Sequence, residues 1–179
     1  INFGRNFHGT GDISGYQYGI SYNNYFSKRF FKTLAFEGTL NDKQGLLLVY
    51  EDPDGRTIDG TLNNVTGGFQ LLGGLGFSFI RSQKHTAGIS LSALARYQAT
   101  SINDAQEVLY PALTDFPVPI RFIYNEERQR TLAVGGALKL FYTYQFKSNW
   151  LINLTGSFQQ DTNGDTISAA MLGIGKAFN

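Results

Sequence analysis

The chain has no cysteine, one methionine and only 4 prolines in 179 residues. Without thiols there is no disulfide framework, no thiolate metal site and no cysteine nucleophile. An oxidising compartment is compatible with that lack. Charge is also scarce. Asp, Glu, Lys and Arg make up 16% of the chain, against about a quarter in ordinary soluble domains. The 15 basic and 14 acidic residues leave a net charge of +1, which gives no electrostatic case for a nucleic-acid partner. No segment suits a membrane-spanning helix. The longest apolar-rich stretch, residues 69–80, is interrupted by glycines, and a spanning helix needs roughly 18 or more residues. Met171 is the sole methionine, so Ile1 is not a natural start. A cleaved export signal would explain this, as would trimming.

What is present is alternation. Aromatics reach 15%, with 15 Phe and 10 Tyr, beside 21 glycines. In residues 15–26 the even positions are Tyr16, Tyr18, Ile20, Tyr22, Asn24 and Phe26, and the odd ones are small or polar. A period of two over about ten residues is the mark of a strand with two unlike faces. The same pattern recurs at 32–40, 69–79, 87–97, 132–146, 152–158 and 170–178. Residues 1–7 supply an eighth, irregular segment, because Arg5 falls in its apolar phase. A lipid-facing Arg at the midplane of a bilayer costs about 2–4 kcal/mol. The expectation is therefore either a bulge in this strand or a position for Arg5 near an interface.

The connections alternate in length. Residues 27–29, 81–85 and 147–149 are short, whereas 41–66 and 101–128 are long; 8–14 and 161–165 are modest. This predicts one domain over residues 1–179: an all-β, eight-stranded, antiparallel, up-and-down transmembrane barrel. Both termini and every short turn would lie on the periplasmic side. Aromatics fall at the strand ends that this topology requires. Phe26, Phe30, Phe79, Phe146, Trp150 and Phe178 would form one girdle, and Tyr16, Phe69, Tyr97 and Phe158 the other. A soluble calyx such as a lipocalin has similar strand counts but buries its large apolar side chains. Here the second face is Gly, Ala, Ser, Thr, Asn and Gln, which suits the tight interior of an eight-stranded barrel.

The closing segment, residues 170–178 with its near-terminal Phe178, resembles the final strand of outer-membrane β-barrels. The strand 16–22 and its neighbours resemble the small outer-membrane barrel domains of Bacteroidota. The resemblance spans nearly the whole chain and is one of pattern. It departs from the family in Asn179, which follows the aromatic that usually ends the chain. It implies export with a cleaved signal, residence in a bacterial outer membrane among lipids and lipopolysaccharide, and recognition of the last strand by the barrel-assembly machinery.

Three charges fall on the inward face: Glu37, Arg96 and Lys139. The expectation is one hydrogen-bonded ionic cluster plugging the lumen, with a narrow pore for small solutes as the alternative. Enzymatic barrels, the lipid-modifying kind included, need a His with Ser or Asp partners. The chain offers only His8, near Asp12, and His85. These fall at opposite ends; His8 with Asp12 could form a dyad but reads better as a solvated loop histidine, and His85 falls in a predicted periplasmic turn. Residues 51–59 and 161–165 resemble incomplete calcium loops, the second also reading as an Asn163-Gly164 turn. No P-loop, dinucleotide fingerprint or metal-ligand spacing occurs, so no metal, cofactor or catalytic residue is expected. Apolar residues in the long connections, among them Leu47, Tyr50, Tyr110 and Phe116, mark a contact surface or a self-packed cap. The function expected is thus a non-enzymatic structural or accessory subunit of an envelope complex, with other outer-membrane proteins as partners.

Overall fold

The computed structural model describes residues 1–9, 13–45, 50–51, 57–58, 62–101, 105–109, 120–124 and 129–178. Among these residues twelve strands follow one another: β1 (Asn2–His8), β2 (Ile13–Tyr25), β3 (Phe30–Gly45), β4 (Tyr50–Glu51), β5 (Thr57–Ile58), β6 (Leu62–Arg81), β7 (His85–Ser101), β8 (Ala105–Leu109), β9 (Ile120–Tyr124), β10 (Gln129–Gln145), β11 (Trp150–Asp161) and β12 (Thr166–Lys176). Eight of them close an antiparallel barrel in the order β1-β12-β11-β10-β7-β6-β3-β2. The remaining four form two small hairpins, β4-β5 and β8-β9, inserted in the long connections.

Alternation sets the faces. Along β7, from Ala87 to Tyr97, buried and exposed residues alternate once past Gly88. The large apolar side chains point out: Leu34, Phe36, Leu71, Leu91, Leu138, Leu154 and Leu172 are all exposed. Inside, Gln17, Glu37, Gln70, Arg96 and Gln159 are nearly inaccessible. Residues i and i+2 share a face of a strand, so the two-residue period in the sequence becomes an apolar exterior around a polar interior.

One end of the barrel, here the turn end, carries Ile1, Phe178 and the connections 26–29, 82–84 and 146–149. The other is the loop end. Strand lengths differ sharply around the ring. β3, β6, β7 and β10 are adjacent and run 16, 20, 17 and 17 residues, against 7, 13, 12 and 11 for β1, β2, β11 and β12. The barrel therefore has a raised wall at its loop end.

The structure refines three expectations. The connection expected at 41–66 begins later, because Asn41–Gly45 pairs with Leu62–Thr66 as a continuation of β3 and β6. The connection expected at 101–128 contains the β8-β9 hairpin. β1 has no bulge: its register with both β2 and β12 is unbroken from Asn2 to His8. Arg5 instead points outward, its guanidinium 4.8 Å from the Tyr16 ring centre, with Nη2 3.4 Å from Ser14 Oγ. The irregularity lies in β6, between Ser78 and Ile80. There Phe79 and Ile80 both face out while Ser78 is buried.

Candidate functional site: the lumen and the raised wall

Three layers fill the lumen. The middle layer is built on Glu37 from β3, which is 1% exposed. Its Oε2 accepts hydrogen bonds from Gln17 Nε2 at 2.8 Å and Gln70 Nε2 at 3.0 Å. Its Oε1 accepts one from Lys139 Nζ, which completes an ion pair. Gln70 and Gln159 exchange bonds of 2.8 and 2.9 Å across the lumen. A buried carboxylate is tolerable when an opposite charge and further donors meet its lone pairs, and all three donors are here. Beside this network sits a small apolar cluster of Ala35, Leu72, Leu94 and Ala137.

The turn-end layer is aromatic. Phe31, 1% exposed, points inward. It packs against Tyr25 at 5.0 Å and edge-on to Phe141 at 5.5 Å between ring centres. The Tyr25 hydroxyl bonds Ser78 Oγ at 2.7 Å. Gly76 makes room for this plug: a Cβ there would stand 2.0 Å from Phe31 Cζ. Beside the plug a small cavity of about 40 Å³ is lined by Asn2, Ser21, Asn153, Glu37 and Lys139 among others.

The loop-end layer is charged. Arg96 from β7, also 1% exposed, reaches Asp161 Oδ2 at 3.5 Å through Nη1. Its Nε and Nη2 have no hydrogen-bond partner among the described residues. Asp161 Oδ1 accepts the backbone N–H of Asn163 and of Asp165 at 3.0 and 3.3 Å. These bonds, with Gly164 at a φ of 80°, close the β11-β12 turn. The motif at 161–165 is thus a tight turn. Asp165 Oδ2 accepts from Gln98 Nε2 at 3.0 Å and lies 3.6 Å from His8 Nε2.

The expected single cluster is therefore two. Glu37 and Lys139 meet, and Arg96 does not join them. Glu37, Gln70 and Arg96 occupy one cross-strand row on β3, β6 and β7. Gln70 stands between the two charges and takes the Glu37 oxygen for itself, so Arg96 turns to Asp161.

His8 also departs from its expected place. Instead of lying in solvent it points inward from the end of β1 and is 6% exposed. Its Nε2 makes no hydrogen bond among the described residues. Asp12 lies outside the described residues. His85 is exposed at the turn end, with Nδ1 2.7 Å from the Tyr142 hydroxyl. Among the described residues no group of three His, Cys, Asp or Glu is placed to hold a metal.

All ten aromatics assigned to the two girdles are exposed on the outer surface, from Phe146 at 41% to Phe178 at 82%. Three inward aromatics, Tyr25, Phe31 and Phe141, were not foreseen. The signal was present: consecutive Phe30 and Phe31 must face opposite ways, and Phe141 shares the phase of Lys139 and Thr143. Of the contact residues expected in the long connections, Leu47, Tyr110 and Phe116 lie outside the described residues. Tyr50 belongs to β4, which pairs with β5.

Among the described residues the raised wall has two flanks with no paired strand. The pairing of β2 with β3 ends at Asn41, and β3 continues to Gly45 paired with β6. β11 stops pairing with β10 at Gly135, leaving 129–134 bonded on that side, among the described residues, at Val134 through Thr162 and at Thr131 Oγ1 through Asn163 Nδ2. Leu132, on this second flank, is 80% exposed.

The fold is close to that of a solved barrel. The chain is similar to the crystal structure of Ail, the attachment invasion locus protein of Yersinia pestis, with a TM-score of 0.53 at 10% identity, over 99% of this chain and 95% of that one. A second crystal structure of Ail, in complex with the heparin analogue sucrose octasulfate, matches with a TM-score of 0.54 at 11% identity and the same coverage. What the two share with this chain is the fold. No protein-family model matches the chain, and no curated protein does.

Proposed function

We propose that this protein is a non-enzymatic integral barrel of a bacterial outer membrane, of the kind found in Bacteroidota. Its termini would face the periplasm, and its raised wall would present an accessory or structural contact to another envelope protein. The membrane half of this reading rests on the inverted exterior. Phe, Leu, Ile, Val and Tyr cover the outside while Glu37, Arg96 and three glutamines are sealed within. In water such an exterior would drive aggregation. In hydrocarbon it is the expected arrangement, and closure leaves no unpaired strand edge within the bilayer. Short turns at one end and a raised wall at the other support the orientation.

The observation that carries the contact role is the pair of open flanks on that wall. A strand edge with unpaired N–H and C=O groups accepts a further strand, and Leu132 offers an apolar neighbour to such a strand. The lumen supports a closed barrel over a pore. The Glu37 network, the apolar cluster and the Phe31 plug occupy its cross-section in succession.

The test is affinity capture of the full chain from its native envelope, with mass spectrometry. A stoichiometric envelope protein is expected, and its recovery should fall when Leu132→Pro disrupts the β10 flank. Recovery of the barrel alone in mild detergent would reject the subunit role. Conductance steps in planar bilayers would favour the pore instead.

A further inference from the structure

The net charge of +1 conceals a division between the two ends of the barrel. Once the topology is known, seven cations fall at the turn end: Lys28, Arg29, Lys32, Arg81, Lys84, Lys147 and Lys176. No Asp or Glu accompanies them. The sequence is free of acids over 13–36, 60–103, 128–160 and 166–179, the stretches that contain every short turn and the last strand. Thirteen of the fourteen acids fall in sequence at or between the loop ends of the strands, Glu37 in the lumen being the exception.

The turn-end cations form a fixed collar. Each turn is tied by its backbone to the next hairpin. Ser78 N–H bonds Arg29 O, Gln145 N–H bonds Lys84 O and Ala177 N–H bonds Asn149 O, each at 2.8 Å. Arg81 is a staple in this ring. Its Nη1 donates to Ser27 O and Lys28 O at 3.1 and 2.8 Å, and its guanidinium lies 3.7 Å from the Tyr25 ring centre. The other six side chains are exposed and make no ion pair among the described residues.

Two of them fix the height of the collar. Lys32 follows Phe30 on the outer face, and its Nζ lies 6.0 Å from the Phe26 ring centre. Lys176 pairs directly across from Trp150. The ammonium groups thus stand level with the outward aromatics, where Trp and Phe mark the boundary between hydrocarbon and headgroups. Long cationic side chains reach from such a boundary into the headgroup layer.

We propose that this collar binds the anionic headgroups of glycerophospholipids, phosphatidylglycerol in particular, in the leaflet that surrounds the turn end. Opposite charge at one height around the whole barrel fits a ring of phosphates better than one soluble ligand. The acidic loop end would be repelled by the same surface, so the collar also sets the direction of insertion. The proposal rests on the membrane reading above and adds a lipid class and a leaflet to it.

The test uses the full chain reconstituted into phosphatidylcholine vesicles with a trace of spin-labelled phosphatidylglycerol or spin-labelled phosphatidylcholine. Electron paramagnetic resonance reads the fraction of each probe immobilised on the protein. At low salt the anionic probe should associate about fivefold more strongly, the effect of on the order of one engaged cation per lipid. The preference should fall towards unity in about 0.5 M salt, where screening shortens the reach of each charge to a few ångströms. It should also fall in the combined variant Lys28→Gln, Arg29→Gln, Lys84→Gln and Lys147→Gln, and persist in Arg130→Gln at the loop end. These turn side chains are exposed, and heat-dependent gel mobility verifies that each variant is folded. A chain that fails to insert would reject the membrane reading itself. An inserted wild type with no preference, or a preference that the collar variant retains, would overturn the collar proposal and leave these cations to a partner in the aqueous phase.

Discussion

Glu37 and Arg96 are equally buried, at 1% exposure each, in two layers of one lumen, and they are treated in opposite ways. Every oxygen of Glu37 is met by a short bond from a side chain on another strand. Arg96 has one long contact and two unpartnered nitrogens among the described residues. His8, Gln98 and Asn41 in the same loop-end layer each have a polar atom with no partner among the described residues too. In the middle layer both carboxylate oxygens of Glu37 are met, Gln17 Oε1 alone of that network lacking a partner among the described residues, and the bonds hold opposite sides of the barrel together. The loop-end layer is a polar chamber whose buried groups outnumber the partners that the described residues bring to them. Burial alone therefore says little about what a charge contributes. The number of partners decides.

The comparison can be broken most decisively at Glu37. Glu37→Ala removes the counter-charge that Lys139 pairs with among the described residues and the acceptor of Gln17, leaving Gln70 its bonds to Gln159. It should lower the stability of the folded barrel by about 3 kcal/mol, measured by urea titration in vesicles. A loss below about 1 kcal/mol would mean that the middle layer is no better satisfied than the loop-end one.

The aromatic plug comes next. Gly76→Ala drives a methyl into Phe31 and should cost about 2 kcal/mol. Phe31→Leu in the same chain should recover at least half of that, because the clash is with the far end of the ring. Independent, additive costs in a double-mutant cycle would place the strain elsewhere.

Arg96→Met should be milder, at about 1 kcal/mol. It gives up one long contact, and Asp161 keeps two backbone N–H donors. A cost as large as that of Glu37→Ala would erase the distinction between the layers. His8→Gln should be smallest, within about 0.5 kcal/mol, because Nε2 makes no hydrogen bond to lose. It also tests for hidden chemistry: abolition of a lipid-modifying activity by this change would contradict the non-enzymatic reading.

Much of this was legible in the chain itself. A period of two fixes which residues share a face, and it correctly assigned the exposed Tyr16, Leu91 and Phe158 and the buried Glu37, Arg96 and Ala137. What misled was register. Glu37 and Arg96 were grouped because both lie on the inward face, yet Gln70 stands between them once β6 is in place. The place of His8 beside a predicted turn points to solvent. The fold instead brings Asp165 and Gln98 to it from the far side of the chain. The charged collar was missed for the reverse reason. Its members are scattered over residues 28–176 and vanish into a net charge of +1.

By itself, then, the sequence determined the number of barrel strands, the two faces and the alternation of turns and loops. Each of these depends only on near neighbours along the chain and on the fixed geometry of an extended backbone. The tertiary structure alone decided the partners of Glu37 and Arg96, the Phe31 plug, the raised wall and the gathering of cations at one end. Those depend on how far each strand slides past its neighbour before the ring closes. That stagger is set by all eight strands together, and no single stretch of residues carries it.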